Sequence, residues 1–160
     1  PLMFMFTLLM LIGGGAGSTA GGIKQFRIWI MLKQIWWNIQ LKFGDRHIVR
    51  INKIERMGAR EVISSDYLNE VNVFVVIYLL IFLLGSFVLM LCGYNIGDSM
   101  FEFASALGTV GFSAGIASSS ASQVVLWTSA IGMILGRLEI FVILLAALRI
   151  KNWIKSPFRR

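Results

Sequence analysis

Gly108-Thr109-Val110-Gly111-Phe112-Ser113 is the stretch of this sequence whose residue types and spacing most directly imply chemistry. Two glycines three apart allow an extended, locally strained backbone whose carbonyl oxygens face one axis. Such oxygens can replace the hydration shell of a cation, which is the physical demand on an ion filter. The simpler alternative is an extracellular turn rich in Gly and Ser, and the flanking sequence bears on the choice. Upstream, Asp98 has the character of an N-cap, with the further acid Glu102 four residues on, so a short helix is predicted over about Ser99–Leu107 before glycine ends it. Its negative C-terminal end would point toward the loop and favour a cation there. With a long helix on either side, the order is helix, re-entrant short helix, glycine-rich loop, helix.

A second cluster lies near the start of the chain. Gly13, Gly14, Gly15, Gly17, Gly21 and Gly22, with Ser18 and Thr19, form a small-side-chain segment. Close helix packing through small residues is one reading; so many glycines would instead unwind a helix, giving a loop able to move without repacking a core. Gly15-Ala16-Gly17-Ser18-Thr19-Ala20 also fits the dinucleotide fingerprint G-x-G-x-x-[G/A]. The next acid is Asp45, well past the expected distance, and no strand-helix alternation follows. Lys24 is not followed by Ser or Thr, so the segment is not a P-loop either.

The elements that must hold these two loops are membrane helices. Of 160 residues, 57% are hydrophobic and only 14% charged. Val71–Cys92 runs 22 residues without a formal charge, enough as a helix to cross a hydrocarbon core of roughly 30 Å. Val124–Ile150 is a second long stretch, interrupted by Arg137, Glu139 and Arg149. Pro1–Ile12 and Ile23–Leu41 span poorly alone and read together as one helix broken by the glycine cluster. Unwound backbone at that depth is tolerated only where it is buried in protein or lines a watery cavity. Arg137 inside a membrane helix is a functional candidate by default. It stands two residues from Glu139, on a different helix face, so each needs its own partner.

Charge placement sets the orientation. Nine Lys/Arg lie from Lys24 to Arg60 and five from Arg149 to Arg160, while none lies between Gly93 and Ser122. Residues 42–69 and the C-terminus are therefore expected in the cytoplasm and 93–121 outside. The net charge of +7 is accounted for by this bias and by anionic lipid, without nucleic acid. Trp29, Trp36, Trp37 and Trp153 suit interfacial anchoring. Within the cytoplasmic segment, His47–Ile54 alternates enough for a short strand, and Ser65–Glu70 could begin the next helix. Cys92 stands alone, and His47 has no Cys or second His nearby for a metal site. Pro1 opens in mid-hydrophobic sequence without a signal-peptide pattern, and the chain is expected to be a fragment lacking its N-terminal portion.

Three motifs together resemble one family. Gly108-Thr109-Val110-Gly111-Phe112-Ser113-Ala114-Gly115 is similar to the fourth filter segment of the Trk/Ktr/HKT superfamily of potassium transporters. Gly13-Gly14-Gly15-Ala16-Gly17-Ser18-Thr19-Ala20-Gly21-Gly22-Ile23-Lys24 resembles its intramembrane gating loop, and Gly136-Arg137-Leu138-Glu139 resembles the motif of its last helix. They occur in the family's order and cover almost the whole chain. The resemblance implies an all-α integral membrane fold of four helix–pore loop–helix repeats around one pore. On that division, residues 1–41 are a broken transmembrane helix with the intramembrane loop at 13–23, closing the third repeat. Residues 42–69 form a basic cytoplasmic linker and 151–160 a cytoplasmic tail. The fourth repeat fills 70–150: helix 70–93, pore helix 98–107, filter 108–113 and helix 122–150.

The same resemblance implies K+ held by the backbone of Gly108, Thr109, Val110, Gly111 and Phe112, with K+ at Thr109, Val110 and Gly111. It implies a gate of Gly13, Gly14, Gly15, Gly17, Ser18, Thr19, Gly21 and Gly22 with Arg137, whose charge near the glycine loop would raise the barrier to cations. Glu139 would satisfy another helix or an ion pair with the absent part of the protein. Also implied are a multi-pass place in the plasma (inner) membrane, a homodimer, a cytoplasmic nucleotide-binding regulatory subunit, and no covalent cofactor or enzymatic step. Phe112 is aromatic where many relatives are aliphatic, which leaves the K+/Na+ preference open, as is coupling to H+ or Na+. The reading from a different class is a non-conducting membrane subunit that docks a cytoplasmic regulator.

Overall fold

The computed structural model describes residues 2–15, 18, 20–43, 53–56, 59–62, 64–118 and 121–137. Among the described residues there are five helices: α1 (Leu2–Ile12), α2 (Gln25–Phe43), α3 (Ser65–Leu91), α4 (Ile96–Gly108) and α5 (Gln123–Arg137). Between α2 and α3 lie two short strands, β1 (Lys53–Arg56) and β2 (Ala59–Val62), paired antiparallel with Lys53 opposite Val62 and Arg56 opposite Ala59. The alternation at 47–54 points to one strand slightly upstream; of it, only Lys53 and Ile54 fall in β1, and 47–52 lie outside the described residues.

α3 is the long apolar helix, and its 27 residues rise about 40 Å. It starts at Ser65, earlier than the apolar run alone requires, because Ser64 caps it: the Ser64 hydroxyl accepts the Tyr67 N–H at 3.3 Å. Leu68, Val71, Val75, Tyr78, Phe82, Gly85 and Leu89 are buried along one stripe with alternating steps of three and four. Val76, Leu80, Leu83, Leu84 and Phe87 are exposed. A helix apolar all round is what a membrane demands, and among the described residues this is the one helix long and apolar enough to cross it.

α4 lies at the centre, packed against α1, α3 and α5, and from Glu102 to Gly108 every residue is buried. Two glycines allow that approach. A methyl on Gly85 of α3 would fall inside the Phe103 ring, and one on Gly132 of α5 would come within 3.0 Å of the same ring. Phe103 is thus held between backbones of two neighbouring helices, the small-residue packing that membrane bundles use. α4 begins after Asn95, not at Asp98. Asn95 has the extended conformation of an N-cap, and Asp98 sits inside the first turn, where its charge favours the helix dipole without capping it.

α2 packs on the start of α3 through Ile30, Leu68 and Val71. The Arg27 guanidinium lies 4.0 Å from the centre of the Phe74 ring, joining the two helices by a cation–π contact. Lys33 lies over Trp29 at 4.5 Å and near Trp37 at 5.6 Å, one turn to either side of it.

Candidate functional site

The C-terminal end of α4 is where the separate motifs meet. The helix closes with Thr109 in the left-handed region (φ 52°, ψ 38°), its N–H donating to the Ala106 carbonyl and that of Val110 to the Ser105 carbonyl. A β-branched residue there carries strain on the order of 1–3 kcal/mol, which its surroundings must over-determine. One determinant is a bond from the other loop: the Gly21 N–H donates to Thr109 Oγ1 at 3.1 Å. Beyond Val110 the chain turns at Gly111 (φ 92°) and Gly115 (φ 90°). A side chain at either would meet nothing within 4 Å, so glycine is required there by conformation rather than by space. Val110, Gly111 and Phe112 are exposed.

Behind the loop lies a residue that the motif reading did not single out for a role. Glu102, 5% exposed, turns its carboxylate to the end of the candidate filter and the residues just after it. It accepts the Ser113 hydroxyl at 2.9 Å, the Ala114 N–H at 2.7 Å and the Ala117 N–H at 3.3 Å. The Ser113 hydroxyl oxygen in turn accepts the Gly115 N–H at 2.9 Å. An unpaired buried carboxylate would cost several kcal/mol; these donors compensate it. A signal existed in the sequence: Asp98 and Glu102 are the sole charges between Gly93 and Ser122, and Glu102 lies inside an apolar helix where it must find donors.

The glycine loop is a true excursion from a helix. Past Ile12 the chain leaves α1 and returns so that Ile23 N–H donates to the Leu11 carbonyl, Lys24 N–H to that of Ile12 and Gln25 N–H to that of Gly14. The residues entering α2 therefore satisfy carbonyls left open at and just past the end of α1. Gly13 (φ 72°) and Gly22 (φ 101°) face each other at the neck, where a methyl on Gly22 would lie 2.6 Å from Gly13 Cα. Of the expected gate residues, Gly13, Gly14, Gly15, Ser18, Gly21 and Gly22 are described, whereas Gly17 and Thr19 lie outside the described residues. Gly21 rests on the end of α4, with a Cβ there falling 2.8 Å from the Leu107 carbonyl oxygen, and Gly108 rests on the Met10 carbonyl oxygen in the same way at 2.9 Å.

α5 closes the third side. A Cβ on Gly136 would collide with the Leu107 carbonyl, so α5 crosses α4 at backbone contact. Arg137 follows it and borders two spaces. One is a cavity of about 220 Å³ shared with Ser18, Gly21, Gly22, Lys24 and Tyr78, on the glycine-loop side. The other, about 500 Å³, is shared with Thr109, Gly111 and Met133, on the filter side. The structure thus brings Gly21, Gly22, Gly108, Thr109, Gly111 and Arg137 around one helix end. Glu139 lies outside the described residues.

Comparison with known proteins agrees with the family resemblance. A family model described as cation transport protein, TrkH, matches residues 2–154. The chain belongs to the TrkH family of cation transport proteins. This is a membrane transport family and not an enzyme family. An uncharacterized cation transporter of Methanocaldococcus jannaschii is 31% identical over 142 residues, covering 89% of this chain and 29% of that protein. The Trk system potassium uptake protein TrkG of Escherichia coli is 30% identical over 136 residues, covering 83% of this chain and 27% of the relative. TrkH of the same organism is 29% identical over 154 residues, covering 90% and 30%. The chain therefore spans less than a third of the length of these relatives.

Proposed function

We propose that this chain is the C-terminal part of the ion-conducting subunit of a Trk-type potassium uptake system, contributing one filter segment and one gating loop to a shared pore. The observation that carries the reading is the bond from Gly21 to Thr109, which joins the glycine loop to the filter segment at the end of a buried short helix. In this reading the backbone of Gly108, Thr109, Val110, Gly111 and Phe112 replaces part of the hydration shell of K+. The C-terminal dipole of α4 favours the cation at the loop. The glycine loop lies on the cytoplasmic side of the filter, and Arg137 beside it raises the electrostatic barrier to cations until the loop moves.

The support for potassium is the likeness to TrkG and TrkH, which are potassium uptake proteins. The rest of the arrangement follows the same reading: three further filter segments from the remainder of a longer chain, a homodimer, and a cytoplasmic nucleotide-binding regulator. The excess of Lys/Arg between Lys24 and Arg60 supports a cytoplasmic side for residues 42–69, and the strand pair β1–β2 then faces that regulator. The test is Rb+ uptake by the full-length protein, with its regulator, in cells lacking their own potassium uptake. Wild type should accumulate Rb+, and Gly111→Ser, which strains a backbone at φ 92°, should change rate or selectivity. Wild-type uptake equal to that of empty cells, with the protein in the membrane, refutes the conducting role in favour of a docking subunit.

A further inference from the structure

From the carboxylate behind the loop we infer that Glu102 is a positioning residue for ion selectivity, bracing the outer end of the filter segment against its own pore helix. The inference rests on the transport reading above and assigns a part of the site that no motif marks. Residues 108–112 are suspended between two anchors. The inner anchor is the end of α4, through the Thr109 and Val110 N–H bonds. The outer anchor is Glu102, on the same helix, which holds Ser113, Ala114 and Ala117. Both anchors belong to one rigid element, so the distance the segment must bridge is set by α4 alone. Without the outer anchor, Gly111 and Gly115, both at positive φ, would leave the exit free to rearrange.

The donor set explains why a carboxylate is needed. One hydroxyl and two backbone N–H groups converge from one side, and a carboxylate offers acceptors on both oxygens. Glutamine has the same length but turns an NH2 donor toward groups that are themselves donors. Aspartate keeps the charge but is one methylene shorter and loses its reach. Ser113 extends the brace, since its hydroxyl also accepts the Gly115 N–H.

The experiment measures Rb+ KM and the discrimination of K+ over Na+, per molecule in the membrane, in the full-length protein with its regulator. We expect Glu102→Gln to raise KM and lower discrimination by about tenfold, as for the loss of a charge-assisted network. Ser113→Ala should do the same by roughly threefold, and the double variant should be no worse than Glu102→Gln, because both act through one network. A merely structural role would lower the amount in the membrane and leave KM and discrimination unchanged; that result in Glu102→Gln overturns the inference. If Glu102→Gln fails to reach the membrane, Ser113→Ala decides, and unchanged KM and discrimination there overturn it equally. Wild type that takes up no Rb+ overturns the transport reading instead, a result separable from these because it needs no variant.

Discussion

The Gly21 N–H and Thr109 Oγ1, 88 positions apart in sequence, form a hydrogen bond of 3.1 Å that joins the glycine loop to the end of α4. Thr109→Val keeps the β-branched shape, and with it the strain of the left-handed conformation, but removes the acceptor. A net hydrogen bond of about 1 kcal/mol corresponds to a roughly fivefold shift in local opening. Amide exchange of the segment covering residues 20–23 should therefore speed up about fivefold in Thr109→Val and stay near wild type in Thr109→Ser. Equal exchange in all three proteins would mean that the bond does not restrain the loop.

Gly136 tests the closeness of α5 and α4. Alanine is the better helix former by about 1 kcal/mol, so on propensity alone Gly136→Ala should stabilise. Its Cβ would collide with the Leu107 carbonyl, a backbone atom in a fully buried turn that cannot rotate away. Overpacking of this kind costs about 1–3 kcal/mol, enough to outweigh the propensity gain. We expect a lower Tm in detergent and loss of uptake. Gly97→Ala is the contrast: Gly97 is exposed in the first turn of α4 and a methyl there meets nothing within 4 Å. That variant should be neutral or gain about 0.5 kcal/mol.

How much of this was legible in the sequence depends on whether the signal is local. The break between α1 and α2 is legible because six clustered glycines disfavour helix whatever surrounds them. α3 is legible because 22 uncharged residues have few soluble alternatives. The start of α4 is displaced from Asp98 because Asn95 and Asp98 are both competent caps and only backbone geometry separates them. The partners of Glu102 are mainly backbone N–H groups, which every residue but proline possesses, so no pattern of side chains announces them. Nor does spacing reveal that Gly21, Gly108 and Gly136 belong to one contact, since the chain brings them together only through packing on α4.

Phe103 offers the sharpest test of that packing. Its ring lies between Gly85 of α3 and Gly132 of α5, and a methyl on Gly85 would occupy the space of the ring itself. Gly85→Ala should therefore destabilise by about 1–3 kcal/mol despite its helix propensity. The neighbour in this case is a side chain, so unlike the clash at Gly136 it can be relieved by a second substitution. Phe103→Leu alone empties part of a buried site and should cost stability too. Combined with Gly85→Ala, it makes room for the new methyl, and the double variant should be more stable than the sum of the two single losses by at least about 1 kcal/mol. Thermal unfolding in detergent of the four proteins measures that coupling. Strict additivity would mean that α3 and α4 do not meet at this ring.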